Sequence, residues 1–345
     1  MIPHKRGNPE WIRGEGPHSD VVISTRARLA RSLAAYPFPA RSSGEDLTMV
    51  VRDVKAAAQG LSDRFPGLRA MDMDRLDPEE RAFLLDAHVV SFQQTEGRPG
   101  AAVILEPNAT LSIMVNEEDH LRIQVLKSGL AIAEAWELAD WVDDRLGETL
   151  EYGWSERYGF LTASVSNVGT GLRLSAMMHL AGLALTNRVA TRLRAAYDLG
   201  VSIRGLFGEG SRSVGDLYQV SNEVTLGLNE KEIVQRVSSV AQYLLGEEHE
   251  ARKELLGCER NRLMESARKA LAVLQHARSV APERAISLMS PIRLAAALGL
   301  VSDCPVYLLN ELLVGMQVGA ADSVRAGVAR AELLRKGLAD VGIAS

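Results

Sequence analysis

The densest run of reactive side chains lies at residues 115–124, V-N-E-E-D-H-L-R-I-Q. Apolar and polar residues alternate on both sides of this run, and a period of two predicts paired, half-buried strands joined at a charged tip. If the outgoing strand is extended, one face carries the side chains of Glu118, His120, Arg122 and Gln124. A carboxylate is then held beside a guanidinium on a rigid element. An ordinary solvated turn with a local ion pair is the alternative interpretation.

A second charged segment, S-T-R-A-R, continues the strand that is predicted to begin at Val21. In extended conformation Ser24, Arg26 and Arg28 share a face, and no acid stands beside the two guanidiniums. Planar guanidinium groups suit phosphate oxygens, so this face is a candidate phosphate site. The alternative is that one arginine pairs with a distant carboxylate while the other is solvated.

A glycine turn carries a further arginine. A strand predicted over residues 160–166 leads into N-V-G-T-G-L-R, which ends at Arg173, and a long helix is predicted to follow through Tyr197. Strand, glycine turn and helix together can offer backbone N–H groups to an anion. The segment lacks the endings of a Walker A loop or a dinucleotide fingerprint, so a plain tight turn is the alternative.

A strand predicted over residues 201–207 carries Arg204 and leads into a glycine-rich loop that contains Glu209. Such a loop is typical of an active-site lid, with a plain hairpin loop as the alternative. Strand ends and glycine turns thus carry all the candidate cations, which are Arg26, Arg28, Arg122, Arg173 and Arg204. Gathered in one cleft they would need a polyanion, and phosphoryl transfer depends on neutralising phosphate oxygens. The carboxylates of Glu118 and Glu209 would then suit a cationic substrate such as a guanidinium.

The other predicted elements are mainly helical. Ser43 and Asp46 form a capping pattern at the start of one helix, and further helices are predicted over residues 78–85 and 130–150. Beyond residue 228 strand patterns give way to helical periods. The predicted units are an irregular arm over residues 1–19, a catalytic domain over 20–250 and a helical C-terminal domain over 258–345.

Composition excludes several classes of protein. The 345 residues are 46% hydrophobic and 24% charged, an ordinary globular mixture, and the net charge of -5 provides no basic field for nucleic acid or a membrane surface. Cys258 and Cys304 are too few for a disulfide framework or a thiolate metal site, so both are expected to be buried thiols in a reducing cytoplasm. Neither a signal peptide nor a membrane span is predicted.

Four separated motifs resemble, in order and spacing, those of the ATP:guanidino phosphotransferase (phosphagen kinase) family. They are S-T-R-A-R at 24–28, N-E-E-D-H-L-R at 116–122, N-V-G-T-G-L-R at 167–173 and R-G-L-F-G-E-G at 204–210. Within the family the chain is most similar to bacterial protein-arginine kinases. The resemblance begins too early to leave room for the helical N-terminal domain of creatine and arginine kinases, and the tail resembles the helical C-terminal domain of the protein-arginine kinases.

The resemblance implies an α+β fold, in which a curved antiparallel sheet flanked by helices is followed by an all-helical C-terminal domain. It implies Mg²⁺ and ATP as cofactors, with the nucleotide bound by Arg26, Arg28, Arg122, Arg173 and Arg204 and with Ser24 nearby. His88 would lie on the adenine side, although a lone histidine is more often a packed or surface residue. Glu118 and Glu209 would bind the guanidinium, with Glu118 as general base. The Mg²⁺ would be held mainly by nucleotide oxygens and water.

The implied partners are proteins with exposed arginines, an activating zinc-finger protein and cytoplasmic protein-quality-control machinery, and a homodimer is compatible with the family. Three features depart from the family pattern. Ser164 stands where many members have cysteine, and Arg212 stands where protein-arginine kinases often have an acid. The stretch A-G-V-A-R-A at 326–331 replaces a motif that binds phosphoarginine, which puts that pocket in question.

Three functions are therefore compatible with the sequence. The first is transfer of the ATP γ-phosphoryl group to arginine side chains of proteins. The second keeps this chemistry but uses a small guanidino compound as the acceptor. The third is a regulatory or binding protein with weakened catalysis, as the departures at Ser164 and in the C-terminal stretch suggest.

Overall fold

The structure, a computed structural model, describes residues 9–197, 199–205, 213–316 and 324–344. The strands are β1 Val22–Arg31, β2 Arg69–Asp72, β3 Ala102–Leu105, β4 Leu111–Val115, β5 Leu121–Ser128, β6 Trp154–Ser155, β7 Gly159–Phe160, β8 Leu172–His179, β9 Val201–Gly205, β10 Leu217–Asn222, β11 Val301–Ser302 and β12 Gly342–Ile343. The helices are α1 Gly44–Ala57, α2 Pro78–Asp86, α3 Ile132–Gly147, α4 Ala181–Leu185, α5 Val189–Tyr197, α6 Glu230–Cys258, α7 Arg260–His276, α8 Pro282–Ala297, α9 Val306–Gly315 and α10 Val324–Gly337. Among the described helices, none combines the length and the apolar composition that a membrane span requires.

One eight-stranded antiparallel sheet organises the chain, in the order β2-β3-β4-β5-β1-β8-β10-β9. The first face of the sheet is apolar: Ala27 and Leu29 of β1 are fully buried there, in one core with residues of α3 and α6. The intervening residues of β1, which include Arg26 and Arg28, are partly exposed on the second face. The predicted α+β fold, an antiparallel sheet with flanking helices and a helical C-terminal region, is confirmed.

The second face is covered at one end by the N-terminal arm and the C-terminal helices. The arm forms a 3-10 helix over Glu10–Arg13, and its Trp11 and Ile12 are each 2% exposed. These two side chains join a core with residues of α7, α8, α9 and α10. Asn310 of α9 donates a hydrogen bond of 3.1 Å to the Ile12 carbonyl. The prediction of an irregular arm is therefore wrong for residues 10–13, because their apolar side chains are buried.

Several local predictions are confirmed. Ser43 caps α1, and its side chain and that of Asp46 exchange hydrogen bonds with each other's backbone N–H groups. Capping boxes satisfy N–H groups that a helix start leaves unpaired. The strands on either side of residues 116–120 pair as a hairpin.

Two other element predictions are wrong. The long helix expected after Arg173 is instead strand β8 up to His179, followed by the shorter helices α4 and α5. The strand expected over residues 160–166 is limited to Gly159–Phe160, and Val165–Asn167 form a 3-10 helix. Of the two interpretations of the glycine turn, the one that offers a helix start to an anion is therefore wrong, because strand β8 follows that turn. Cys258, expected to be buried, is exposed.

A buried ion pair supports the glycine turn beside the sheet. Arg31 of β1 and Asp143 of α3 lie 2.6 Å apart, and the Arg31 side chain is 2% exposed. The same guanidinium donates to the Thr170 carbonyl at 2.9 Å and lies 3.5 Å from the centroid of the Phe160 ring. It thereby ties the turn at residues 169–171 to the sheet.

Replacement of this carboxylate is expected to destabilise the fold. Asp143→Ala leaves Arg31 buried without its counter-ion, which typically costs about 3–5 kcal/mol. Urea unfolding at neutral pH measures the change in the free energy of unfolding. Asp144→Ala, at the next and exposed position of the same helix, is the matched control. Equal stability of the two variants would contradict the assigned role of the pair.

Candidate active site

The charged tip between β4 and β5 is a tight, anchored turn. Asn116 has a φ of 56°, which asparagine tolerates better than most residues, and its N–H donates to the His120 carbonyl at 3.0 Å. Its side-chain amide donates to the Leu47 carbonyl at 2.9 Å and to the Gly100 carbonyl at 2.7 Å. The acids of the tip are thus displayed from a fixed backbone.

The sequence predicts that His120 shares a face with Glu118, and this prediction is wrong. The strand begins only at Leu121, and His120 is fully buried. Its Nδ1 accepts the Leu33 N–H at 2.9 Å, so Nε2 carries the proton and donates to the Pro37 carbonyl at 2.9 Å. Burial is the main cause that lowers the pKa of His120. This histidine therefore fastens the tip to the chain after β1.

Two acids of the tip contact Arg122, and they differ in environment. Glu117 accepts from Arg122 Nη1 at 2.9 Å, with a second oxygen 2.8 Å from Nη2, and its side chain is 4% exposed. Glu118 lies 3.5 Å from the same guanidinium with its side chain 41% exposed. Glu117 thus holds Arg122 firmly, while Glu118 makes a long contact and faces the solvent.

Four of the predicted arginines come together on the second face of the sheet. Arg28 of β1 lies opposite Arg173 of β8 in the register of the two strands. On its other side β5 places Arg122 opposite Ala30, two residues farther along β1. Arg26 precedes Arg28 on the same face. Three adjacent strands therefore supply one cluster of guanidiniums.

The electrostatics of this cluster favour an anion. Burial, followed by the charges of Arg122 and Arg173, lowers the pKa of Arg26 to about 10. Burial and the charges of Arg26, Arg122 and Arg173 lower the pKa of Arg28 well below its ordinary value, and Glu117 opposes that shift. The guanidiniums of this cluster therefore repel one another. A polyanion such as a triphosphate would relieve that repulsion.

Arg204 lies on the same face but farther away. On β9 it is paired with Gln219 of β10. Across β8, the same row of the sheet continues through Met177 to Ser24 of β1, so three strand spacings separate Arg204 from β1. With neighbouring strands about 4.8 Å apart, its backbone is roughly 14 Å from that of β1. Its Nε donates to the Ser202 hydroxyl at 3.1 Å. Glu209, the second predicted acid, and Arg212 lie outside the described residues.

Asp119 connects the tip to the loop that carries Ser164. This aspartate is 2% exposed and accepts hydrogen bonds from Ser32 Oγ at 2.9 Å, Ala163 N–H at 2.6 Å and Asn167 Nδ2 at 3.4 Å. The Ser164 hydroxyl lies 2.9 Å from that of Ser166. The loop is thereby positioned by the residue that follows Glu118.

A cavity of about 210 Å³ opens beside the arginine cluster. Its walls include Ser24 and Arg26 of β1, His88 after α2, Trp11 of the arm and Leu313 of α9. The Trp11 and His88 rings lie 5.4 Å apart, and Trp11 Nε1 donates to the Ala87 carbonyl at 3.2 Å. A planar aromatic group could be accommodated between apolar walls here, with an anionic group toward Arg26.

The environment of His88 predicts an acid-dependent loss of stability. Burial, with a contribution from the Arg26 charge, lowers the pKa of His88 from 6.5 to about 4. The unfolded chain therefore binds this proton more readily, and the contribution of His88 to stability is complete above pH 6.5 and is lost as the pH falls toward 4. His88→Asn, which suits the φ of 60°, should reduce the difference between free energies of unfolding at pH 7 and pH 4.5. His276→Asn, at an exposed helix end, should leave that difference unchanged. Equal changes in the two variants would contradict the role assigned to His88.

Sequence reasoning missed several residues of the site. Glu117 and Asp119 flank Glu118, and the density of acids in the motif was the available signal for them. Trp11 and Leu313 carry no local signal, since the folding of distant segments brings them together. In the C-terminal stretch 326–331, Arg330 donates to the Met316 and Val280 carbonyls at 2.7 Å each.

Comparisons with known proteins agree with this geometry. The family model "ATP:guanido phosphotransferase, C-terminal catalytic domain" matches residues 49–251, and "Protein-arginine kinase McsB C-terminal domain" matches residues 260–342. The chain is 41% identical to the protein-arginine kinase of Pelotomaculum thermopropionicum over 306 residues, 88% of this chain and 86% of that protein. It is 41% identical to that of Symbiobacterium thermophilum over 317 residues, 90% and 89% of the two chains. The crystal structure of lombricine kinase is similar with a TM-score of 0.60 at 25% identity, covering 70% of this chain and 71% of that one.

Proposed function

The chain belongs to the ATP:guanido phosphotransferase family, and on this basis we propose that it transfers the γ-phosphoryl group of ATP to the guanidinium of arginine residues in proteins. The observation that carries the proposal is the cluster of four mutually repelling guanidiniums beside a carboxylate that faces the solvent. The guanidinium cluster suits a nucleoside triphosphate, and the carboxylate suits a cationic acceptor. The protein-arginine kinases among its relatives supply the class of acceptor.

In the proposed mechanism the arginines position and neutralise the phosphates. Arg26, Arg28, Arg122 and Arg173 bind phosphate oxygens, and Arg204 completes the site from β9. Ser24 and His88 contact the nucleotide from the walls of the cavity. Because the arginines are fixed on strands, little reorganisation is needed as charge moves toward the leaving ADP.

Glu118 is the proposed general base. Its carboxylate binds the guanidinium of the acceptor, orients one nitrogen toward the γ-phosphorus and accepts the proton that this nitrogen loses as the N–P bond forms. The bond from phosphorus to the bridging oxygen of ADP breaks in the same step. Glu117 cannot easily do this because it is committed to Arg122. Glu209 is proposed as the second acid that binds the acceptor.

Mg²⁺ is proposed to accompany the nucleotide. The cationic cluster offers few oxygen ligands, since Glu117 and Glu118 both contact Arg122. An ion bound here would therefore be held mainly by phosphate oxygens and water, as is usual for Mg²⁺. It would neutralise charge on the β- and γ-phosphates when bound.

The proposal extends to domains and cellular setting. We propose the division into 1–19, 20–250 and 258–345; the boundary between the second and third units is supported by family matches that end at 251 and resume at 260. A cytoplasmic location, an activating zinc-finger protein, protein-quality-control machinery and a homodimer are proposed from the family resemblance of the sequence motifs. Light scattering of the purified protein tests the homodimer.

The function is tested by incubating the purified protein with Mg-ATP alone, with free arginine and with casein. Phosphate is mapped by mass spectrometry under non-acidic conditions, which preserve N–P bonds. Phosphoarginine on casein or on the protein itself, with none on free arginine, is the expected result. Phosphorylation of free arginine would indicate a kinase of small guanidino compounds. ATP binding without phosphoarginine would indicate a regulatory protein.

A further inference from the structure

Five large apolar side chains are exposed around the loop that carries Ser164. They are Trp154 (59% exposed), Tyr158 (42%), Val165 (86%), Val224 (47%) and Leu226 (51%), and we call them the apolar rim. Contiguous exposed apolar surface is uncommon on soluble proteins and often marks a binding site. The proposed transfer reaction does not use any of these side chains.

Backbone contacts join the three segments that carry the rim. The Trp154 and Phe160 rings lie 4.8 Å apart across the β6–β7 hairpin, and the Phe160 N–H donates to the Gly169 carbonyl at 2.8 Å. Thr225, which lies between the two rim residues of the third segment, donates through Oγ1 to the Ser166 carbonyl at 3.0 Å and the Val168 carbonyl at 2.7 Å. The hairpin, the loop and residues 224–226 therefore form one layer.

This layer is attached to the candidate general base. Asp119, the neighbour of Glu118, accepts hydrogen bonds from Ala163 N–H and Asn167 Nδ2 on either side of Val165. The most exposed member of the rim thus stands on a 3-10 helix that is fixed to the acidic tip. The loop that carries Val165 is therefore held beside the residue that would receive the acceptor guanidinium.

An arginine within a protein enters such a site with polypeptide attached on both sides. That polypeptide must pass over the surface next to Glu118, and this surface includes the apolar rim. Contact there would remove apolar area from water on both partners. Segments that can present both an arginine and adjacent apolar side chains are extended and unpacked, because folded proteins bury most of their large apolar residues.

Building on the proposed function, we propose that the apolar rim binds apolar side chains that flank the target arginine in an extended polypeptide. The rim thereby selects unfolded segments with apolar neighbours over arginines in polar surroundings. Free arginine lacks these neighbours and gains nothing from the rim.

The test compares two peptides of equal length, each with one arginine, flanked either by Leu, Val and Phe or by Ser, Gly and Asn. For the wild-type protein, the KM of the apolar peptide should be about tenfold lower than the KM of the polar peptide, which is the ratio that a modest apolar contact produces. Val165→Ser with Leu226→Ser should abolish this preference and leave the KM for ATP unchanged. Phe92→Ser, which alters a 67% exposed side chain outside the rim, is the matched control.

The outcomes separate this inference from the proposed function. An unchanged preference in the double variant, or the same loss in Phe92→Ser, would overturn the role of the rim while leaving arginine phosphorylation established. If the wild-type protein phosphorylates no arginine, the proposed function fails, and fluorescence anisotropy of the labelled peptides still measures the preference in binding. If the double variant does not fold, the single variant Val165→Ser replaces it in the test, because a change at the most exposed position should leave the fold intact. A changed oligomeric state with an unchanged KM would assign the rim to contacts between copies and overturn the inference.

Discussion

Glu118→Gln should reduce phosphoryl transfer to arginine by about 10²–10⁴-fold, the usual contribution of a general base, while the fold is retained. The amide keeps the shape of the carboxylate but cannot accept the proton that the attacking nitrogen loses. The side chain is 41% exposed and makes one long contact of 3.5 Å to Arg122, so its loss should change the free energy of unfolding by less than about 0.5 kcal/mol. Initial rates with casein and urea unfolding measure the two effects.

The matched control is Glu134→Gln at an exposed position of α3, which should alter neither rate nor stability. Glu117→Gln should behave differently from both, because it weakens a buried contact to Arg122 and should reduce stability together with rate. Wild-type turnover in Glu118→Gln would remove Glu118 as the base. The fully buried His120 is not a substitute for it, since both of its ring nitrogens bind backbone groups.

Arg28→Met should lower the rate by about a thousandfold, the effect of one well-placed arginine in phosphoryl transfer, without lowering the melting temperature. Burial and three neighbouring guanidiniums lower the pKa of Arg28, so the free protein contains a repulsion that this change removes. Methionine retains much of the aliphatic length and leaves little cavity. The rate is measured with casein, and the Tm is measured with and without Mg-ATP.

Ligand linkage provides a second measurement for the same variant. Mg-ATP should raise the Tm of the wild-type protein, because a ligand of the folded state stabilises it, and should raise that of Arg28→Met much less. Arg145→Met, on the exposed surface of α3, serves as the control for loss of one positive charge. A strongly destabilised Arg28→Met with normal turnover would show that the cluster serves the fold instead of an anion.

The sequence predicted the parts of this site that are encoded locally. The alternation around S-T-R-A-R correctly placed Ser24, Arg26 and Arg28 on the partly exposed face of one strand. The alternation around the acidic run correctly predicted the β4–β5 hairpin. In β1 the period of two arises because one face of the sheet is buried and the other is partly open, whereas every residue of β4 is buried.

The prediction of a helix after Arg173 failed because that segment fits both the strand period of two and the helical period. In β8 the fully buried residues Leu172, Leu174, Ala176 and Met178 alternate with polar or partly exposed ones, but Met177, Leu180 and Leu183 also complete a helical spacing. Pairing with β1 and β10 on both sides decided in favour of the strand. Tertiary pairing of this kind has no signature within the segment itself.

The cavity beside Arg26 has walls from both ends of the chain, Trp11 from the arm and Leu313 from α9. During synthesis the arm and the arginine-bearing strands leave the ribosome long before α9 does, and domains fold as their residues emerge. A growing chain can therefore assemble the sheet and its guanidiniums while the cavity still lacks the wall at Leu313. Translation itself thus delays completion of this cavity until the protein is nearly finished.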